Sequence, residues 1–302
     1  MGLVIPDAET EALSSTRIEE PGAPALLSLN LNDGYYSFDE AECRDKGRAL
    51  ASAYREAQPF PHIVIERFLD TELLRRVANS FPATDGKRYF DRSQERLKYQ
   101  FHANESSSGL VRNLFAELNG RAFLGFLEAM TGIRGLISDP YLDGGGLHLT
   151  RPGGHLGIHA DFNLHGPMHV ERRLNLLVYL NEDWLPEYGG ALELWDRQMK
   201  ECVKKVEPLL GRAVIFTTNL DSFHGHPDPL SCPPQRDRRS MATYYYTALQ
   251  DSVPFPPIRS TTFQVRPGSD DKADLEVKVD HFIRNWIPPR LQRFARRLNP
   301  FR

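Results

Sequence analysis

At Gly144 the texture of this chain changes, and the change limits its fold more than any other feature. From Gly144 to Thr247, runs of five to eight residues follow one another, separated by Gly, Pro, Asn and Asp. Runs this short are strand-sized rather than helix-sized, and the residues between them are turn formers. They predict strands near 146–151, 156–161, 173–180, 190–195, 203–208, 212–217, 222–226 and 238–247. Eight such strands suit a jelly roll, in which two sheets enclose a cavity.

Chemistry-bearing residues fall inside these strands. His159 and Asp161 are two apart, so on a strand both project to one side of the sheet. His224 follows 63 residues after Asp161. A distant strand delivers such a third group when a sheet closes on itself. Two imidazoles and one carboxylate can occupy one face of an Fe(II) octahedron and leave the other face open. A chelating keto acid fills two open positions and O2 the third. His226 is two residues from His224 and shares its face, so the third ligand has two candidates. Arg238 stands in phase with Ser240, Ala242 and Tyr244 and is a candidate anchor for an acidic co-substrate. A guanidinium grips a carboxylate through two parallel hydrogen bonds. Arg236 and Arg239 compete for that role. Tyr179 ends a strand with Asn175 and Leu177 on its face. His155, Arg151 and Asn163 are candidates for the mouth of the site.

These motifs occur in a recognisable order. Arg151-Pro152-Gly153-Gly154 leads into His159-x-Asp161; then come Leu174 to Asn181, Gly189-Gly190-x-Leu192, His224, and Arg238-x-Ser240. In that order, residues 144–248 resemble the double-stranded β-helix of the 2-oxoglutarate/Fe(II) dioxygenases, in the prolyl 4-hydroxylase-like branch. The resemblance implies a hydroxylase in which His159, Asp161 and His224 bind iron. It favours His224 because an aromatic residue, here Phe223, precedes that ligand in the family. It implies that Arg238 pairs with the distal carboxylate of 2-oxoglutarate, with Ser240 and Tyr179 as hydroxyl partners. Fe(II), 2-oxoglutarate and O2 are the implied cofactors and co-substrates, with ascorbate as an accessory reductant. A prolyl residue of a peptide is the implied target, and a small molecule, glycan or lipid-linked intermediate is the alternative. A non-catalytic cupin-like binding or sensor protein is a third reading, which the complete ligand set argues against.

The rest of the chain is read as support. The expected fold is mainly β, a double-stranded β-helix of the jelly-roll, cupin-like kind with an N-terminal helical buttress. The expected divisions are a loose arm over 1–34, a helical and mixed support region over 35–143, the core over 144–250, and an extension over 251–302. Helical spacing predicts helices over 38–57, 70–81 and 110–130, with Asp70 as an N-cap and Gly132 as a stop. A short strand is expected after Pro61 and a loop region over 83–108. A net charge of −3 predicts no general attraction to nucleic acid. No run of about 18 apolar residues is present, as a membrane-spanning helix requires. The first thirty residues lack a basic segment followed by an apolar one, so no signal peptide is expected. Three widely spaced cysteines, Cys43, Cys202 and Cys232, suit a reducing cytoplasm. Residues 280–302 carry six arginines and no acid after Asp280. Their two apolar stripes, around Trp286 and around Phe294, fit either a packing helix or peripheral contact with anionic lipid.

Overall fold

The computed structural model of the chain describes residues 24–84, 88–106, 108–249 and 259–271, with single positions at 279, 283, 287, 290 and 291. Before the texture change come a hairpin of β1 (Leu29–Asn32) and β2 (Tyr35–Phe38), helix α1 (Glu40–Glu56), strand β3 (His62–Ile65) and helix α2 (Thr71–Ala78). A second hairpin, β4 (Arg88–Arg92) and β5 (Glu95–Phe101), precedes helices α3 (Gly109–Leu118) and α4 (Arg121–Thr131). The strands β6 (Ile137–Ser138), β7 (Gly146–Ala160), β8 (Leu164–His165), β9 (Val170–Tyr179) and β10 (Leu192–Trp195) follow. Last come β11 (Cys202–Val206), β12 (Ala213–Thr217), β13 (His224–His226), β14 (Arg238–Ala248) and β15 (Thr262–Phe263).

Local chemistry starts the helices where side chains can satisfy free N–H groups. The Asp39 carboxylate accepts from the Glu42 N–H at 2.7 Å, and that of Asp70 from the Leu73 N–H at 2.8 Å. The helix expected over 110–130 is in fact two. Asn119 closes α3, and Gly120, extended at φ −81° and ψ 165°, opens α4. Glycine is a poor helix former, and a Cβ there would lie 3.1 Å from the Glu117 carbonyl. The expected loop over 83–108 is also corrected, because β4 and β5 form a hairpin laid along β7. Its charged residues hide the strand pattern, and pairing with β7 supplies what local propensity does not. The arm is docked from Leu26 onward: the N–H groups of Leu26 and Leu27 donate to Arg67 and Phe68 carbonyls, and Leu27 is buried. Residues 1–23 lie outside the described residues.

The two strands expected at 146–151 and 156–161 are one, β7, and this strand belongs to both halves of a jelly roll. Its first part pairs antiparallel with β14, from Ala242 opposite Gly146 to Arg238 opposite Thr150. Its second part pairs with β13, placing His224 opposite His159. From β7 the sheet runs one way through β14, β9 and β12 to β3, and the other way through β13 and β10 to β11. The fold is therefore mainly β and of double-stranded β-helix type.

Alternation along β9 and β14 separates core from cavity. Leu174, Leu176, Val178, Met241 and Tyr245 join Leu114, Phe123 and Phe126 of the helices in the main core. Asn175, Leu177, Arg238, Ser240 and Tyr244 point the other way and line the cavity. The helices thus back one sheet and hold its inner face toward the site.

Candidate active site

The cavity between the two sheets has a volume of about 560 Å³. On its wall, β7 and β13 carry His159 and His224 directly across from each other, with ring centroids 4.4 Å apart. Asp161 follows two residues after His159. Its Oδ1 lies 3.7 Å from His159 Nε2 and its Oδ2 lies 3.4 Å from His224 Nε2. One ligand atom from each of the three residues lies within 4.8 Å of the other two. Bonds of about 2.1 Å at right angles put donors about 3 Å apart, so small movements would seat an ion among them.

Hydrogen bonding fixes which ring nitrogen faces this point. Nδ1 of His159 lies 2.8 Å from the Gly157 carbonyl, and Nδ1 of His224 lies 2.9 Å from the Ser222 carbonyl. A carbonyl only accepts, so each Nδ1 carries the proton and each Nε2 keeps its lone pair for a metal. Burial lowers both histidine pKa values, that of His224 to about 4, so the rings are neutral at pH 7.

A second group holds the carboxylate. Burial alone would raise the Asp161 pKa, but the Arg172 guanidinium, with its Nη2 3.2 Å away, and a hydrogen bond from Asn175 Nδ2 at 2.8 Å help outweigh it. Asp161 is therefore held well below the usual carboxylate range. Arg172 also donates from Nε and Nη2 to Asn175 Oδ1 at 2.9 and 2.6 Å. Its guanidinium is buried, with the Tyr244 ring centroid at 3.4 Å and the Phe162 centroid at 4.5 Å. Sequence reasoning missed Arg172. Simple alternation puts Arg173 in phase with Asn175, but an irregularity in the β9–β14 register places Arg172 opposite Tyr246 and Asn175 opposite Tyr244.

The other expected residues separate clearly. Arg238 is buried in the cavity, donates from Nε to the Gly190 carbonyl at 2.7 Å, and has no carboxylate partner among the described residues. Burial lowers its pKa. Tyr179 lies beneath it, its ring centroid 5.1 Å from the guanidinium. The Tyr179 hydroxyl is buried and meets no hydrogen-bond partner with acceptable geometry. Ser240 stands opposite Tyr179 in the register and lines the same cavity. A buried cation without an acid partner, beside the Tyr179 hydroxyl, is what an anionic co-substrate would complete. Arg236 instead donates to the Glu182 and Asp183 carbonyls, and Arg239 to the Ala78 carbonyl. His226 lines the cavity but lies outside the three-residue donor cluster, and its Nδ1 has no partner. Arg151, bonded to Thr84, Asn163, bonded to Arg259, and His155 lie outside the cavity lining.

A two-histidine, one-carboxylate donor set opening into a jelly-roll cavity, with a buried cation free for an acid, is the arrangement of non-haem iron oxygenases. The comparison with protein families agrees: residues 145–246 match the 2OG-Fe(II) oxygenase superfamily. No curated protein sequence matches the chain. Among solved structures, a Pseudomonas putida prolyl-4-hydroxylase shares the fold at a TM-score of 0.50 and 17% identity, covering 67% of this chain and 100% of that one. A prolyl hydroxylase from Trichoplax adhaerens, in complex with a hypoxia inducible factor peptide fragment, gives 0.47 and 15%, covering 68% and 91%. HygX from Streptomyces hygroscopicus, with nickel and 2-oxoglutarate bound, gives 0.42 and 13%, covering 62% and 82%.

Proposed function

We propose that the protein is an Fe(II)- and 2-oxoglutarate-dependent dioxygenase that hydroxylates an unactivated C–H bond and releases succinate and CO2. One observation carries the reading: a single cavity holds both the His159–Asp161–His224 cluster and the acid-free Arg238. His159 and His224 would hold iron through Nε2, and Asp161 through its carboxylate. Arg238, with the Ser240 and Tyr179 hydroxyls, would hold the distal carboxylate of 2-oxoglutarate. Bound iron and 2-oxoglutarate, with O2, supply the oxidising power that replaces hydrogen by hydroxyl. The chain orients these groups, fixes the ring tautomers, keeps Asp161 ionised and encloses the reaction between two sheets. A prolyl residue of a peptide is the substrate suggested by the resemblance, with a small molecule, glycan or lipid-linked intermediate as the alternative.

The test is succinate formation from 2-oxoglutarate with Fe(II), O2 and cell extract, alongside mass analysis for a product with one added oxygen. Asp161→Ala should abolish metal binding and turnover. His224→Ala should do the same, and full activity in His224→Ala with loss in His226→Ala would reassign the third ligand. No succinate from the wild-type protein with any extract would overturn the reading.

Two further readings concern location. The free cysteines Cys43, Cys202 and Cys232 support a cytoplasmic place, and no described helix is long and apolar enough to cross a membrane. Most of 280–302 lies outside the described residues. Within it Ile283 is buried and Leu291 is 55% exposed. On the reading of 280–302 as a lipid contact, the full chain sediments with anionic vesicles and a chain ending at Val279 does not; equal, negligible sedimentation of both would leave the tail as a packing element.

A further inference from the structure

The hairpin β4–β5 brings a charge cluster into the cavity that the proposed iron and 2-oxoglutarate sites leave unassigned. Glu95 is buried and accepts from two cations, Lys98 Nζ at 2.9 Å on Oε1 and Arg92 Nη2 at 3.0 Å on Oε2. Burial opposes the charge of Glu95, and Lys98 and Arg92 outweigh that and keep it ionised. One carboxylate therefore serves two cations, and a positive charge is left over. The Lys98 side chain is only 12% exposed, whereas Arg92, at 49%, stands at the rim. Glu95 is the acceptor on the Lys98 ammonium among the described residues, although that group has three protons to donate.

The charge balance of the cavity gives the same sign. Its lining holds four cations, Arg92, Lys98, Arg172 and Arg238, against the carboxylates of Glu95, Asp143 and Asp161. Asp143 is exposed and faces solvent as well. An iron(II) ion and a 2-oxoglutarate dianion cancel each other and leave the surplus standing. Phe90 lies between the two hairpin cations, each 5.6 Å from its ring centroid, and lines the same wall.

We infer that the primary substrate carries an anionic group, a carboxylate or a phosphate, that docks on Lys98 while its body lies on Phe90. This rests on the dioxygenase reading and narrows its substrate class. A neutral unit inside a polymer would desolvate the cluster and leave Lys98 sharing the one Glu95 carboxylate with Arg92. A free acid or a phosphorylated small molecule completes the cluster. Lys98 is a binding residue here, separate from the co-substrate anchor at Arg238.

The test uses the full chain loaded with Fe(II) and saturating 2-oxoglutarate under nitrogen, titrated calorimetrically with matched probes. Benzoate against benzamide reports a carboxylate; phenyl phosphate against phenol reports a phosphate. The wild-type protein should favour the anion in at least one pair by about tenfold, and the larger preference names the group. Lys98→Met should cut that preference to about twofold or less, while Lys98→Arg keeps it. Glu95→Gln removes the competing carboxylate and should tighten anion binding, an effect opposite to that of a damaged fold. The affinity for 2-oxoglutarate, measured without probe, should be unchanged in the Lys98 variants. Equal binding of charged and neutral probes by the wild type, or a preference that survives Lys98→Met, would overturn the inference. So would a loss of 2-oxoglutarate affinity in Lys98→Met, which would assign Lys98 to the co-substrate. Failure of the wild type to bind 2-oxoglutarate at all would overturn the dioxygenase reading, and this inference with it.

Discussion

Asp161, a ligand in the proposed iron site, shows how a carboxylate is set by groups outside the donor cluster. Its carboxylate is oriented by Asn175 and charged in the presence of Arg172, and Asn175 is itself held by two donors from that arginine. Asn175→Leu keeps the branched shape and removes both the donor to Asp161 and the acceptor for Arg172. It should weaken metal affinity about 10–100-fold, as loss of a ligand's outer partner does. Calorimetric titration with Mn(II) would measure this, and unchanged affinity would show that Arg172 alone positions the carboxylate. The residues that this group supports were legible: two-residue spacing marks His159 with Asp161, and phase marks Arg238 with Ser240. Arg172 was not legible, because one irregularity in register moves it onto a face that strict alternation assigns to Arg173. Lys98 was hidden for a related reason. The β5–β7 register shifts between Arg96 and Lys98, so a polar stretch reads as loop when it is a strand against the cavity.

Among the elements, β13 is only three residues long and sits close against β7. Gly225 separates His224 from His226, and a Cβ there would lie 2.6 Å from the Gly157 carbonyl oxygen and 2.8 Å from that of Leu156. Both are backbone atoms of β7, so neither can swing aside. Gly225→Ala should push β13 off β7, cost about 1–3 kcal/mol of stability as overpacking does, and separate the two imidazoles. The expected readout is a lower melting temperature together with weaker Mn(II) binding. Normal metal affinity in a destabilised variant would mean that the strand moves without carrying His224 away. Local sequence predicted most of the β elements well, since turn residues punctuate them. It overran α3 and α4 because apolar residues continue on both sides of Asn119-Gly120 with no proline between them, although at about 100° per residue the two buried faces are out of phase.

For the molecule as a unit, the cavity is lined by imidazoles that folding keeps neutral. Burial and, next, Lys98 lower the pKa of His148 from 6.5 to about 3, and burial also lowers that of His226 and, outside the cavity on β3, that of His62. Gly144 and Glu95 favour the charged form of His148 but are outweighed, while Arg238 adds to the lowering. Below pH 6.5 the unfolded chain takes up protons that the folded chain refuses. Stability from these groups is full above that pH and falls as acid is added toward pH 3. Each contributes up to about 1.4 kcal/mol per pH unit across its window. The metal-free protein should therefore unfold at lower urea concentration at pH 5 than at pH 7.5, and equal midpoints would contradict neutral histidines in the fold. The placement of β15 has a different consequence. Thr262 and Phe263 pair with Ala160 and His159 on β7, and the Phe263 ring lies 5.5 Å from the His159 ring. Together with β5 on the same strand, it supplies cavity walls that the superfamily match over 145–246 does not reach. The matched stretch is an engine without its intake. A fragment cut to those limits would keep the ligands and lose the surfaces that select what reaches them. On the proposed reading, exchanging only this hairpin and terminal strand would change which molecules such a core admits.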